Sequence, residues 1–169
     1  ELLINHLVSD VMFEADDLTI SDPDGNRCAE LKRRFGVSVA ADNCEAVSRS
    51  DFTFVCVQPH IVRKVIDELK DTCLRGRILI SVSAGISTGL YRSELPDAVV
   101  ARILPNPPSG IGEGAIPVTI SGNADGEQVE SIMKLVGLFG KSFIVPEDKI
   151  DIFTSLTSPA PVLTFFETM

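Results

Sequence analysis

Side chains of the kinds that carry acid–base or nucleophilic chemistry are few in this sequence, and they are not grouped. The two histidines, His6 and His60, lie far apart along the chain. No order of serine, histidine and aspartate suggests an activated nucleophile, and no pair of carboxylates stands isolated enough for acid and base roles. This composition is consistent with hydride transfer, in which a bound cofactor carries the reaction.

The cysteines give no sign of a metal site. Cys28, Cys44, Cys56 and Cys73 include no CxxC pair, so we expect no zinc site. Cys56 lies within the apolar run "FTFVCVQP", where a free thiol behaves as a small hydrophobic group. The sequence shows no secretory signal, and we therefore expect a reducing, cytoplasmic environment.

Loops that follow apolar segments are the stronger candidates for a binding site. The stretch "ARILPNPPSGIGEGA", residues 101–115, follows the strand-like "AVV" and is rich in proline and glycine. Proline makes such a loop rigid, and glycine lets a ligand approach the backbone. Residues 21–26, 57–60 and 83–87 also follow predicted strands and contain proline or glycine. Because ligands of open α/β sheets bind beyond the carboxyl ends of the strands, these four loops form the predicted site.

Each of these loops also has a simpler interpretation. Asp22 could accept hydrogen bonds from a ribose, but Asp-Pro-Asp-Gly is equally an ordinary turn. Gln58 and Pro59 could simply end a strand, and His60 could cap the following helix or lie in solvent. Asn106 could form a turn or present a fixed amide inside a pocket.

Predicted strands and helices alternate along the chain. The strands are predicted at 16–21, 37–40, 51–59, 77–85, 97–106, 114–122 and 141–146. The helices are predicted at 1–13, 28–35, 43–50, 60–73, 87–95 and 125–140. Most strands are apolar on both faces, which is typical of βαβ units that build a parallel sheet covered on both sides. This alternation ends near residues 146–151, where the helix-like segment "DKIDIFTSL" follows.

Charge and length exclude several classes of protein. The formal net charge is −9, and the single dense basic run, Lys32 to Arg34, is interpreted as a solvated helix face. We therefore expect no nucleic-acid partner. No apolar run reaches the length of a membrane span, so we expect no membrane association.

Four motifs occur in an order that matches one known family. They are "DFTFVCVQPHIVRKVIDEL" (51–69), "ILISVSAGIS" (78–87), "ARILPNPPSGIGEGA" (101–115) and "DIFTSLTSPAPVLTF" (151–165). With them the chain resembles the pyrroline-5-carboxylate reductase family over nearly its whole length. The resemblance implies an α/β, Rossmann-type dinucleotide-binding domain at 1–146, incomplete at its N-terminus, and at 147–169 the start of an all-helical domain. It implies transfer of a hydride from NADPH or NADH to the C=N bond of a cyclic imine, in proline biosynthesis.

The resemblance also implies roles for particular residues. Cofactor contacts are implied for Ser21, Asp22, Val57, Gln58, Pro59, Ala84, Gly85, Leu104, Pro105 and Asn106. Substrate contacts are implied for Thr157, Ser158 and Pro159. A homo-oligomer formed through the helical domain is implied as well.

Three departures from the family pattern affect these expectations. The first strand and glycine-rich turn of the family would precede Glu1, whose helix in the family receives the cofactor's pyrophosphate at its N-terminus. Without them we expect two neighbouring strands to lack a partner and this chain to bind dinucleotide poorly or not at all. Pro23 stands where the family usually has an arginine for the 2′-phosphate of NADP, and Arg27 is a distant substitute; Asp22 favours NAD. Pro159 replaces a family serine and removes two hydrogen-bond donors.

Two alternatives remain open on the sequence alone. The chain could be a diverged relative without catalytic activity, either a regulatory protein that binds nucleotides or a module that binds a partner. It could instead resemble oxidoreductases that move hydride between NADP and a deazaflavin, although "AGIS" and "GEGA" fit the proline family better. Likeness of fold alone could not decide this.

Overall fold

The computed structural model describes residues 1–9 and 13–157. Its helices are α1 (Leu2–Ser9), α2 (Gly25–Phe35), α3 (Asn43–Ser48), α4 (Pro59–Leu69), α5 (Thr88–Glu94), α6 (Gly126–Gly137) and α7 (Ile150–Thr157). Its strands are β1 (Thr19–Ile20), β2 (Ser38–Val39), β3 (Phe52–Val55), β4 (Ile78–Ser81), β5 (Val99–Ile103), β6 (Gly114–Ile120) and β7 (Gly140–Ile144). Short 3₁₀ turns occupy Ala15–Asp17, Pro107–Ile111 and Glu147–Lys149.

The strands form two sheets. β1 and β2 pair in parallel, with Thr19 opposite Ser38. The larger sheet has the order β3-β4-β5-β6-β7, and its neighbours are parallel except for β5 and β6. The predicted fold class, an α/β protein with a mostly parallel sheet, is therefore confirmed. Among the described strands, β1 pairs with β2 alone and β3 with β4 alone, as expected for strands that lack a partner on one side.

Helices cover both faces of the larger sheet. Successive residues of each strand point to opposite faces, and apolar residues on each face pack against helices. Ile78 and Ile80 pack in a cluster with Leu7 of α1 and with residues of α6. Leu79, between them, packs in a second cluster with Ile66 and other residues of α3, α4 and α5. All four residues of β4 are buried, which explains why its sequence shows no alternation.

Side-chain caps determine where several helices begin. The Asp24 carboxylate accepts hydrogen bonds from the backbone N–H groups of Asn26 and Arg27, so α2 begins at Gly25 and not at residue 28 as predicted. The helix ends at Phe35, and the residue that caps it, Gly36, has a left-handed φ of 76°. None of the described helices combines the length and apolarity that a membrane crossing requires.

Several predicted elements were too long. The first two residues of the predicted strand 16–21 belong to the 3₁₀ turn Ala15–Asp17, and β1 is reduced to Thr19–Ile20. β3, β4 and β5 end at Val55, Ser81 and Ile103, earlier than predicted, because the loops that follow them also contain apolar residues. The helix predicted at 125–140 ends at Gly137, and Gly140 instead begins β7.

Proline is accommodated in two different ways in the 101–120 region. Pro107 and Pro108 occupy the first positions of a 3₁₀ turn, where a missing N–H costs nothing. Pro117 lies inside β6, beyond the section paired with β5. Gly114 N–H and Val118 C=O bond toward β7, so the nitrogen of Pro117 faces the side where no ladder bond is required.

Candidate functional site

A cleft of about 420 Å³ lies where β3, β4 and β5 end. Parallel strands direct their carboxyl ends to one edge, so the loops after these strands meet there. The start of α1 completes the wall. The lining residues are Glu1, Leu3, Cys56, Val82, Pro105, Asn106 and Pro107.

The loop after β5 is held rigid by the side chain of Asn106, which is 7% exposed. Its Oδ1 accepts hydrogen bonds from Ser109 Oγ at 3.2 Å and from the Ala115 backbone N–H at 3.1 Å. The Ser109 N–H also donates to the Asn106 carbonyl oxygen at 2.9 Å. Asn106 therefore shapes a turn, as the first interpretation proposed, and it lies at the cleft wall. Its role as an amide donor to a ligand stays a prediction.

The loops after β3 and β4 are tied together by Ser83. Its hydroxyl donates to the Val57 carbonyl oxygen at 2.7 Å. Behind it, Tyr91 OH donates to Ser81 Oγ at 3.0 Å, and both groups are buried. Gly85, which follows Ala84 in this loop, has a φ of 72°. No atom lies within 4 Å of the position that a Gly85 Cβ would take, so the backbone there is open to a ligand.

Gln58 and Pro59 form the start of α4 rather than the end of β3. Pro59 is the first residue of the helix, and Gln58 precedes it without a side-chain cap bond. His60 lies inside the first turn, so the suggestion that it caps this helix was wrong. Its side chain is exposed.

At the end of β1, Ser21 and Asp22 begin a tight turn. The Asp22 carboxylate accepts a hydrogen bond from the Asp24 N–H at 2.8 Å, which is the ordinary turn chemistry of this residue. Its side chain is nevertheless exposed, so its remaining oxygen positions are accessible.

An ion-pair network lies between this turn and the cleft. Arg27 pairs with Glu1 at 2.6 Å and with Glu30 at 2.8 Å, and Arg34 also pairs with Glu1. The hydrogen bond from Arg27 lowers the pKa of the Glu1 carboxyl, and the same bond raises the pKa of Arg27. The cation nearest in sequence to Asp22 is thus already engaged by two carboxylates.

Cys56 belongs to the cleft wall, a position that its apolar surroundings in the sequence did not reveal. The residue is exposed, but the protein atoms around the thiol remove water from it and raise its pKa. The thiol is therefore protonated at neutral pH and is not suited to act as a nucleophile.

Comparison with known proteins identifies the family. The profile described as "NADP oxidoreductase coenzyme F420-dependent" matches residues 3–85. Pyrroline-5-carboxylate reductase of Corynebacterium melassecola is 28% identical over 99% of this chain and 63% of its own length. Pyrroline-5-carboxylate reductase 3 of Danio rerio is 35% identical over 83% of this chain and 49% of its own length. The chain belongs to the pyrroline-5-carboxylate reductase family.

A solved structure with the family name has the same fold. The crystal structure of Plasmodium falciparum pyrroline carboxylate reductase with NADP bound superposes with a TM-score of 0.83 over 98% of this chain and 60% of that one, at 19% identity. This chain spans between about half and two thirds of the length of the curated relatives it matches.

The family motifs bring together some of the residues that the sequence predicted. Pro105 and Asn106 line the cleft directly. Val57, Ala84 and Gly85 lie in the loops joined by Ser83. The Leu104 side chain instead packs in a buried cluster with Val145 and Ile150. Ser158 and Pro159 lie outside the described residues, and of Thr157 only the backbone is described.

Five residues of the cleft wall were not among the predicted contacts, although the last of them lies within the predicted loop 101–115: Glu1, Leu3, Cys56, Val82 and Pro107. Three of them are immediate or near neighbours of predicted residues at strand ends. The expectation that ligands bind beyond the carboxyl ends of the strands therefore located the correct edge of the sheet, but the residues predicted there were adjacent ones. Glu1 and Leu3 come from α1, the helix whose N-terminus the resemblance assigns to the cofactor's pyrophosphate; the individual side chains could not be read from local sequence.

A second concave surface, of about 450 Å³, lies beside the carboxyl ends of β6 and β7. Its polar side chains bond within the protein: Thr119 Oγ1 donates to the Val145 carbonyl oxygen and Ser121 Oγ donates to Asn123 Oδ1. Across residues 1–9 and 13–157, no group of three or more histidine, cysteine, aspartate or glutamate side chains could hold a metal ion.

Proposed function

We propose that this chain forms the dinucleotide-binding part of a reductase that transfers a hydride from NADPH or NADH to the C=N bond of pyrroline-5-carboxylate. The observation that carries the proposal is the cleft at the carboxyl ends of β3, β4 and β5, walled by the Pro105–Asn106 loop. This is where an α/β sheet of this class binds its nucleotide.

The residues described here are suited to holding and orienting a dinucleotide. Gly85 offers open backbone at the end of β4, and the bonds made by Asn106 fix the opposite wall. Asp22 presents a carboxylate at the end of β1 that can accept ribose hydroxyl bonds. These features fit a dinucleotide along the strand ends.

The reduced nicotinamide, when bound, would supply the hydride to the imine carbon, and the imine nitrogen would gain a proton. The chain's own contribution would be to position the cofactor. Rigid loops would hold the nicotinamide ring in the cleft and leave it little freedom to adopt unproductive orientations. The sequence has no ordered set of serine, histidine and aspartate and no isolated pair of carboxylates, which agrees with a reaction carried by the cofactor.

The choice between NADH and NADPH rests on the end of β1. A 2′-phosphate placed there meets Asp22 and the turn residue Pro23, while Arg27 is bound to Glu1 and Glu30. A phosphate would have to compete with two carboxylates for that guanidinium. We propose that the chain binds NADH at least as well as NADPH.

The remaining roles follow the family. Residues 1–146 would be the dinucleotide-binding domain and residues 147–169 the start of a helical domain. That domain would mediate a homo-oligomer, and Thr157, Ser158 and Pro159 would begin the substrate loop. A cytoplasmic enzyme without nucleic-acid or membrane partners is proposed on the same basis.

Dinucleotide titration tests the proposal directly. NADH and NADPH are titrated separately against this chain and against the chain completed to the length of its relatives, and the completed form is then assayed for oxidation of the reduced cofactor with pyrroline-5-carboxylate. Cofactor binding and imine-dependent oxidation support the proposal. Binding without turnover of any cyclic imine indicates a non-catalytic relative, and absence of binding to either form refutes the reductase.

A further inference from the structure

Arg102 is the one residue of β5 whose side chain conflicts with its surroundings. The strand reads "VVARI", and Arg102 is only 3% exposed. A guanidinium cannot lose its proton in a protein, so a buried one must be paired. None of the roles proposed above uses it.

Two carboxylates from one later segment pair with this guanidinium. Nη1 donates to Glu147 Oε1 at 3.1 Å, and Nη2 donates to Asp151 Oδ1 at 2.6 Å. Glu147 lies in the 3₁₀ turn after β7, and Asp151 lies in the first turn of α7. The two terminal nitrogens of the guanidinium therefore hold both the 3₁₀ turn that precedes α7 and the first turn of α7.

The second oxygen of Glu147 reaches a different element. Oε2 accepts hydrogen bonds from the Thr88 backbone N–H at 3.1 Å and from Thr88 Oγ1 at 2.6 Å. Thr88 is the first residue of α5, directly after the loop that contains Ala84 and Gly85. One carboxylate thus joins β5, the loop after β4 and the segment that leads into α7.

Apolar packing supports the same junction, which is the set of hydrogen bonds that joins Arg102, Glu147, Asp151 and Thr88. Leu104, Val145 and Ile150 form a buried cluster, with Phe143 and Phe153 packed against it. Leu104 lies two residues beyond Arg102 and directly before Pro105 and Asn106 of the cleft wall. The junction and the cleft wall are therefore consecutive parts of one strand end.

We propose that Arg102, acting through Glu147, is a positioning residue that sets where α7 leaves the sheet relative to the two loops at the ends of β4 and β5. Given the proposed function, which this inference presupposes, those loops hold the nicotinamide side of the cofactor and α7 leads into the substrate segment. Disturbing the junction should then misplace the imine against the cofactor while leaving the cofactor's own affinity unchanged.

The test compares Glu147→Gln with Glu94→Gln. Glu94 lies on α5 and pairs with Arg63 and Lys70, whose side chains are 58% and 40% exposed, and pairs with such exposed cations contribute little. The cationic partner of Glu147, Arg102, is only 3% exposed. Arg102→Lys is the second variant, because lysine keeps the charge and loses the planar fork. Hydrogen exchange of residues 150–157 is followed in the 169-residue chain, and steady-state kinetics in the completed enzyme.

The expected result is that E147Q and R102K raise amide exchange in α7 by about tenfold, the effect of losing one hydrogen bond to a charged group. They should also raise the KM for pyrroline-5-carboxylate by about tenfold, or lower kcat, with the cofactor Kd unchanged, while E94Q matches the wild type. Unchanged exchange in α7 overturns the inference, and so does a fall in cofactor affinity that parallels the kinetic defect. If the wild-type enzyme turns over no imine, the proposed function fails, and the exchange experiment still decides whether Arg102 docks α7.

Discussion

Replacing Gly140 by alanine provides the sharpest test of the architecture behind the cleft wall. Gly140 has a φ of 138° and lies opposite Gly114 where β6 and β7 begin to pair. A Cβ at position 140 would lie 2.6 Å from the Gly114 carbonyl carbon and closer still to the Gly114 nitrogen and oxygen. These atoms are backbone, so a side-chain rotation cannot relieve the overlap.

The expected cost of G140A follows from two contributions. Overpacking against a fixed neighbour costs about 1–3 kcal/mol, and a non-glycine residue at such a φ costs about 1–3 kcal/mol more. The sum, about 4 kcal/mol, corresponds to a fall in Tm of about 8–16 °C for a chain of this size. Gly114→Ala should cost less, about 2 kcal/mol, because it meets the Phe139 carbonyl oxygen at 2.6 Å without an unfavourable φ.

Gly137→Ala is the matched control. The Cβ at position 137 has only Ser142 Oγ near it, at 4.0 Å, and the residue ends α6. Alanine should leave the stability unchanged or raise it by up to about 1 kcal/mol. Thermal unfolding followed by circular dichroism measures all three variants. If G140A has the same Tm as the wild type, the close approach of Gly140 to the Gly114 backbone, where β6 and β7 begin to pair, is incorrect.

Three further changes probe the cleft. Asn106→Ala leaves the buried Ser109 hydroxyl and the partly buried Ala115 N–H without their acceptor, which should cost about 2 kcal/mol of unfolding free energy and weaken dinucleotide binding. If the variant keeps both its stability and its cofactor affinity, Asn106 is not part of the site. Because burial raises the pKa of the Cys56 thiol, its alkylation by iodoacetamide should be slow at pH 7 and accelerate as the pH rises. In the chain completed to the length of its relatives, NADH should protect Cys56 while leaving the exposed Cys73 reactive, and equal protection of both thiols would contradict a cleft at Cys56. In the completed chain, Pro23→Arg should raise the ratio of NADPH to NADH affinity by about tenfold in fluorescence titrations, since it adds a cation beside Asp22. An unchanged ratio would show that the 2′-position does not lie near the end of β1.

The alternation of strands and helices was predictable from sequence because burial dominates this sheet. The run "ILIS" has apolar or small residues on both faces, and the structure buries all four. Such a strand needs helices on both sides, and that requirement implies the layered fold. The edge that holds the cleft followed from the same reasoning, since parallel strands place their loops together.

The direction of β6 was not predicted, although the sequence held a sign of it. Only ten residues separate Ile103 from Gly114, and a parallel neighbour requires a crossover of a dozen or more. The antiparallel pairing of β5 and β6 was therefore implied by loop length. Composition alone, with its proline and glycine, indicated a loop and gave no direction.

The junction at Arg102 shows what local sequence could not supply. A single arginine in an otherwise apolar strand indicates a buried pair, but its partners lie 45 and 49 residues further along the chain. Segments so distant come together only when the sheet is complete. For the same reason the side chains that α1 contributes to the cleft could not be named from sequence, because their contact depends on the packing of the whole layer.

The antiparallel pairing of β5 and β6 also bears on the order of folding. The Pro105–Asn106 wall is closed by two strands that are adjacent in sequence, so forming it requires only a short loop closure. The loops after β3 and β4, by contrast, are brought together across entire crossover helices, at greater entropic cost. The Pro105–Asn106 wall can therefore form early in folding, and it can stay formed during local fluctuations that separate the loops after β3 and β4. An incoming dinucleotide would meet one preformed wall, and its binding would be coupled to the ordering of the rest.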